Sequence, residues 1–354
     1  MVAALVLGYL FAPYITSIFT RTRSRFDRLL CPVEEGIYRI LGINPDLMMG
    51  WRQYFVSVLV VNLFQMAFAF LIFVFQNALP LNPQRFPGLS LDLAFMQAIS
   101  FATNTNLQHY NGEGSCTSLP NCPALSGSPG LSYLSQMTAV QFLQFTSAAT
   151  GICVAVAMIR GFTAGSQNLG NFYADFVRTL TRLLFPLCFV SALVLVALGV
   201  PQTLNGNQIV HTLQGSSQTI LVGPVASLVS IMQLGTNGGG YYGANSAYPF
   251  QNPNPASNIL EILLMLLLPT SLCFVYGHLL GKRREARPII ISSYLLFLMN
   301  LSVAFIPTPV LGPGMEVRFG GFFSVFWTVV TTAVTTGSVN ASLSAIHPLG
   351  ILAA

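Results

Sequence analysis

Long and short apolar runs alternate along this chain, and that alternation limits its possible folds more than any other feature. Six runs reach the length of a bilayer crossing: Val2–Thr20, Phe55–Phe75, Met137–Ile159, Leu183–Val200, Ile259–Gly281 and Pro288–Ile306. About 20 mostly apolar residues of helix cover the hydrocarbon thickness, so each is predicted to span. Three further runs, Leu91–Ala102, Val222–Leu234 and Gly321–Val334, are too short to cross and read as re-entrant half-helices. Each is followed at once by a cluster of Thr, Asn, Ser and Gly. The order span, half-helix, polar loop, span occurs twice in full and begins a third time, an internal repeat of the kind that defines an architecture.

Charge fixes the orientation expected for these runs. Only 7% of residues are charged, against about 25% in soluble domains, so the lipid bilayer is the expected solvent. Of the 15 Lys and Arg residues, all but Arg85 and Arg318 fall in three segments. These are Arg21 to Arg52, Arg160 to Arg182, and Lys282 to Arg287. Such asymmetry is the positive-inside pattern, which places those segments in the cytoplasm and the N-terminus outside. The net charge of +5 is therefore a solvated membrane face, with no nucleic-acid partner expected. Val2–Thr20 has its Arg cluster after it, not before, and so reads as a first span instead of a signal peptide.

The three polar loops carry the chemistry. They are Thr103-Asn104-Thr105-Asn106, then Gly235-Thr236-Asn237-Gly238-Gly239-Gly240, then Thr335-Thr336-Gly337-Ser338. Non-helical backbone survives at membrane depth only where protein or water satisfies it. A half-helix entering from outside brings its partially negative C-terminus to the loop, which favours a cation. Glycine permits the backbone angles that align carbonyl oxygens, and rings of carbonyls replace the hydration shell of K+. Thr and Asn add oxygens without charge, which suits a monovalent ion better than a divalent one. The alternative for such loops is close packing of small residues between helices. Gly238, Gly240 and Gly243 also spell a dinucleotide fingerprint, but a half-helix precedes them where that motif needs a strand. No nucleotide-binding loop of the G-x-x-x-x-G-K-S/T type occurs, so no nucleotide is expected on this chain. Of the six cysteines, Cys116 and Cys122 share one outside loop and form a possible disulfide.

The motifs GPVAS (Gly223–Ser227) and LGTNGGGYYGANSAYPFQNPNP (Leu234–Pro255) closely resemble the potassium-binding subunit of the bacterial Kdp potassium-transporting ATPase, the KdpA family. WRQY at Trp51, PLNPQRFPGLSLDLA at Pro80, ATNTNLQHYNGE at Ala102, LSYLSQMT at Leu131, SAATGI at Ser147 and VTTGSVNA at Val334 extend the resemblance over the chain. Leu107 stands where the family has Trp, and Ser342-Leu343-Ser344-Ala345 replaces its Met-His-Asp-Ser.

The resemblance implies an all-α polytopic membrane protein of the K+ channel-like transporter superfamily. Residues 1–50 would be an extra span with its cytoplasmic loop. Residues 51–160, 161–281 and 282–354 would be three filter repeats, the last incomplete. It further implies a K+ filter from Thr103–Asn106, Thr236–Gly239 beside Gly235, and Thr336–Ser338, with Gln108 at its mouth. The transported ion would be K+. The partners would be a catalytic P-type ATPase subunit and small accessory subunits in the bacterial inner membrane, so this chain would be non-catalytic. The family's fourth repeat has no counterpart before Ala354, which leaves a truncated or non-functional product as one expectation. A stand-alone K+ channel or ion-coupled transporter is the other.

Overall fold

The computed structural model describes residues 1–22, 27–112, 129–162, 168–206, 208–306 and 312–354. Cys116 and Cys122 lie outside the described residues.

Helices dominate, as the apolar runs require. Those long and apolar enough to cross a membrane are α1 (Val2–Thr20), Trp51–Ala78 containing α3 (Trp51–Phe75), α5 (Tyr133–Phe162), α6 (Phe172–Ala197), α8 (Pro255–Leu279), and Arg283–Phe305 containing α9 (Ala286–Phe305). The short runs form α4 (Leu91–Ala102), α7 (Val225–Leu234) and α10 (Gly320–Ala333). The first matches the expected limits and the others shift by one to three residues. α2 (Asp27–Leu41) lies on the basic side, and α11 (Pro348–Ala353) closes the described chain. The strands β1 (Gln208–His211), which is exposed, and β2 (Ser217–Ile220) pair antiparallel as a hairpin between α6 and α7.

Two elements depart from the sequence expectation, α6 and α2, the latter a helix where only a loop was expected. α6 starts eleven residues before Leu183, because its charges are paired and the helix carries them inside. Arg182 donates to Glu34 from Nε at 2.5 Å and from Nη2 at 2.7 Å, and to Asp27 from Nη1 at 2.5 Å. Glu34 and Tyr38 of α2 are buried against this cluster, while Leu29, Val33 and Ile40 on its far face are exposed. Arg160 of α5 is likewise paired with Asp175 of α6 at 2.5 Å and also donates to the Phe19 carbonyl at 3.0 Å. Both clusters tie helices together at the basic end, where an unpaired charge would be costly.

Packing places α7 at the centre. All its residues from Val225 to Leu234 are buried except Ser227, which is half-buried. Phe101, Tyr110, Tyr133, Tyr241 and Tyr242 form one cluster with its apolar residues. A second cluster joins α1, α5, α6 and α8, and a third gathers α8, α9 and α10 around the fully buried Trp327. α1 lies close along α8: a Cβ on Gly8 would meet the Thr270 methyl at 2.8 Å.

α5 is not regular. It begins with one helical turn, widens into a π-helical segment at Gln136–Gln141, and continues as α-helix from Phe142. α6 contains a similar segment at Thr179–Leu184.

Candidate filter site

The three half-helices end in the same way. The residue after each cap takes the left-handed conformation: Asn104 at φ 61°, Thr236 at 51° and Thr335 at 55°. The next N–H then reaches back five residues, from Thr105 to the Ser100 carbonyl (2.9 Å), Asn237 to Met232 (2.9 Å) and Thr336 to Thr331 (2.8 Å). A second bond per loop joins Asn104 to Phe101, Thr236 to Gln233 and Thr335 to Thr332. This is the Schellman helix ending, normally built on glycine. Here it is built on Asn and Thr, and a β-branched residue at positive φ is a strained choice.

Two residues further on, φ is positive again, at Asn106 (52°), Gly238 (93°) and Gly337 (82°). The loops are therefore superposable by position: Thr103, Gly235 and Val334; Asn104, Thr236 and Thr335; Thr105, Asn237 and Thr336; Asn106, Gly238 and Gly337; Leu107, Gly239 and Ser338. In this register Thr103 is matched by Gly235 and Val334, whereas the grouping read from the motifs began the second segment at Thr236 and the third at Thr336. Alternating the sign of φ turns successive peptide planes so that their carbonyls face one side, where a strand would alternate them.

The last position of each loop is anchored by a buried side chain. Gln97 donates to the Leu107 carbonyl at 3.2 Å, Gln144 to Gly239 at 2.6 Å and Trp327 to Ser338 at 2.9 Å. Asn245 donates to the Gly238 carbonyl at 2.6 Å. Among the described residues, no donor reaches the carbonyls of Asn104 and Thr105, Thr236 and Asn237, or Thr335 and Thr336. These form two equivalent positions in all three loops. At the second of them the side-chain oxygens of Asn237 (Oδ1) and Thr336 (Oγ1) are also buried without a donor. Carbonyl, amide and hydroxyl oxygens left without a donor are chemically suited to a cation.

The second loop sits between the other two. A Cβ on Gly238 would collide with the Thr336 carbonyl, and Asn237 donates from its side chain to Asn104. Gly235, Asn237, Gly238, Gly239 and Gly240 are buried, whereas Thr103, Thr105, Thr335 and Gly337 are exposed, which leaves the arc open between the first and third loops. Gln108 links the outer edges: Oε1 accepts from the Gly240 N–H at 2.8 Å, and Nε2 donates to the Tyr110 and Tyr242 carbonyls. Burial pushes the Tyr110 phenol well above its ordinary range, so it stays a donor to the Gly240 carbonyl at 3.1 Å. On the opposite side a cavity of about 140 Å³ is lined by Asn104, Gly235 and Thr236 together with Ile152, Leu234 and Leu268. Gly238, Gly240 and Gly243 follow a helix instead of a strand, as the sequence reading required.

Sequence reasoning passed over the anchors Gln97, Gln144, Trp327 and Asn245. The two glutamines carried a signal, since each lies within an apolar run, where a polar side chain is expensive and normally functional.

The sequence profile of the family described as potassium-transporting ATPase A subunit matches residues 1–354. A "Potassium-transporting ATPase potassium-binding subunit" of Caldanaerobacter subterraneus subsp. tengcongensis is 43% identical over 353 residues, covering 95% of this chain and 60% of its own length. A protein of the same name from Alicyclobacillus acidocaldarius is 45% identical over 354 residues, again 95% of this chain and 60% of its own. The chain thus spans about 60% of the length of these relatives. With repeated half-helices, a matching profile along the whole length and these relatives in agreement, the chain belongs to the potassium-transporting ATPase A subunit (KdpA) family.

Proposed function

We propose that this chain supplies three segments of a K+ selectivity filter in the ion-binding subunit of an ATP-driven K+ import pump. The observation that carries the reading is the threefold repetition of one backbone design. In each loop two successive carbonyls have no donor among the described residues, and they lie between a helix C-terminus and an anchored carbonyl. Such oxygens, with the negative ends of three half-helices behind them, replace the water around a weakly hydrated monovalent ion.

In this reading the repeats are residues 51–160, 161–281 and 282–354, and residues 1–50 form the extra span and its loop. The N-terminus faces outward across the bacterial inner membrane, and K+ enters from that side past Gln108. A fourth oxygen-bearing segment closes the open side between the first and third loops. ATP is hydrolysed by a separate P-type subunit, with small accessory membrane subunits in the same assembly, and this chain does no covalent chemistry.

The test is uptake of Rb+ or K+ into proteoliposomes holding the intact pump complex. Uptake that needs ATP and discriminates against Na+ is expected. Flux that proceeds equally without the ATPase subunit would overturn the pump assignment in favour of a channel, and no alkali-cation binding at all would overturn the filter.

A further inference from the structure

Glu261 lies in α8, fully buried, behind the second and third loops. One of its oxygens, Oε2, accepts from Gln233 Nε2 at 2.7 Å and from Ser246 Oγ at 2.8 Å. The other, Oε1, is buried with no partner among the described residues. No Lys, Arg or His among those residues comes within ion-pair distance of it. Arg318 is engaged elsewhere, with Glu316 at 2.8 Å and the carbonyls of Asn252 and Ala247 at 2.5 and 2.6 Å.

Both donors lead to the filter. Gln233 accepts from Ser338 Oγ at 3.0 Å, so one chain runs from Glu261 to the third loop. Ser246 donates its N–H to Asn245 Oδ1 at 2.8 Å, and Asn245 holds the Gly238 carbonyl, so a second chain runs to the second loop. A carboxylate isolated in a dry interior is costly unless a cation compensates it. The filter is where this fold holds one.

We infer that Glu261 is the fixed counter-charge of the cation in the filter and sets its affinity without touching it. This deepens the filter reading and rests on it. A counter-charge outside the coordination shell acts on charge alone, so it strengthens K+ and Rb+ equally and leaves the choice between ions to the carbonyls.

The experiment is cation-dependent thermal stabilisation of the intact, purified complex, titrated separately with K+ and Rb+, since a bound ion raises stability according to its affinity. Glu261→Gln keeps the shape and the acceptor oxygen but removes the charge. Its affinities for K+ and Rb+ are expected to fall together by about tenfold or more, with their ratio unchanged. Ser246→Ala removes the hydrogen bond to Glu261 and those its hydroxyl accepts from Gln233 and Gln251 but keeps the charge, and is expected to fall well short of the Glu261→Gln loss. An unchanged Glu261→Gln affinity, an altered ion ratio, or an equal loss in Ser246→Ala would overturn the inference. If Glu261→Gln does not assemble, Glu261→Asp decides: near-parent affinity is expected, and a tenfold loss overturns the inference. Failure of the parent complex to respond to K+ would instead remove the filter reading itself.

Discussion

The side-chain amide of Asn237, in the second loop, donates to the side-chain oxygen of Asn104, in the first. Ser147 of α5 donates to that same Asn104 oxygen at 2.9 Å, while Asn237 also reaches the Gln144 carbonyl at 3.4 Å and Ser147 Oγ at 3.3 Å. Two loops 133 residues apart in sequence are thus locked edge to edge by a partly buried amide pair, with α5 as the third party. The width of the arc between their free carbonyls is set here, not by the carbonyls themselves.

Replacing Asn237 by Ala takes one donor from the Asn104 side-chain oxygen and frees the two loops to separate. A loss of about 1–3 kcal/mol in stability is expected, with weaker discrimination of K+ against Na+. Because both residues serve one contact, the Asn104→Ala and Asn237→Ala effects should not add, and a double-mutant cycle by thermal unfolding measures the coupling. Full additivity would mean that the pair does not hold the loops.

Gly238 and Gly337 occupy equivalent positions at positive φ, yet their surroundings differ. A Cβ at Gly238 collides with the Thr336 carbonyl, whereas one at Gly337 meets nothing within 4 Å. Gly337→Ala should therefore cost only backbone strain, about 1–2 kcal/mol. Gly238→Ala adds the collision and displaces a free carbonyl of the third loop, so K+ affinity should fall far more. Gly238→Asp, with its added charge, should abolish selective uptake. Ion-binding titrations of the two alanine variants side by side separate strain from collision, and equal effects would refute the distinction.

Thr335 is exposed and holds a left-handed conformation that Asn104 holds at the equivalent place. Asparagine tolerates that conformation better than a β-branched residue does. Thr335→Asn is accordingly expected to raise stability by about 0.5–1 kcal/mol, read as a higher unfolding midpoint. A lower midpoint would show that the threonine side chain contributes more than its backbone strain costs.

At the basic end, Arg160 and Asp175 form a buried pair, and Arg160 also ties α1 through the Phe19 carbonyl. Arg160→Met strands the Asp175 carboxylate and should destabilise by about 3–5 kcal/mol, far beyond the effect of removing the exposed Arg21–Asp46 pair. Recovery of folded protein from membranes, compared between Arg160→Met and Asp46→Asn, checks the order.

Much of this architecture was legible because hydrocarbon imposes length and continuity. Leu91–Ala102 could be delimited to the residue, since Asp92 opens it and Thr103 ends it. The start of α6 was not legible, because Arg178 and Arg182 look like a break until Glu34 and Asp27 are seen to pair with them. α2 escaped for the same reason: it buries Glu34 while exposing Leu29, Val33 and Ile40 along with Arg28, Glu35 and Arg39, so no apolar face marks it. The loops themselves stood out by composition, but their register did not. Threonine, asparagine and glycine take the same left-handed place in different repeats, so no residue type marks it. Glu261 reads in sequence as an ordinary charge near the start of a span, and only the chains through Gln233 and Ser246 connect it to the loops.

Gln136 and Gln144 both donate toward the second loop, to the Tyr241 carbonyl at 3.5 Å and the Gly239 carbonyl at 2.6 Å. In an unbroken α-helix, residues eight apart point about 80° away from one another around the axis. The π-helical segment at Gln136–Gln141 absorbs one extra residue, worth about 100° of rotation, and so brings the two amides to within about 20° of a common bearing. The wide turn thus works as a phase corrector. Deleting one residue inside it would lengthen the regular helix while swinging Gln136 off the loop, leaving Gln144 in place. The angular setting of that turn is as much a part of the second loop's geometry as the loop's own backbone.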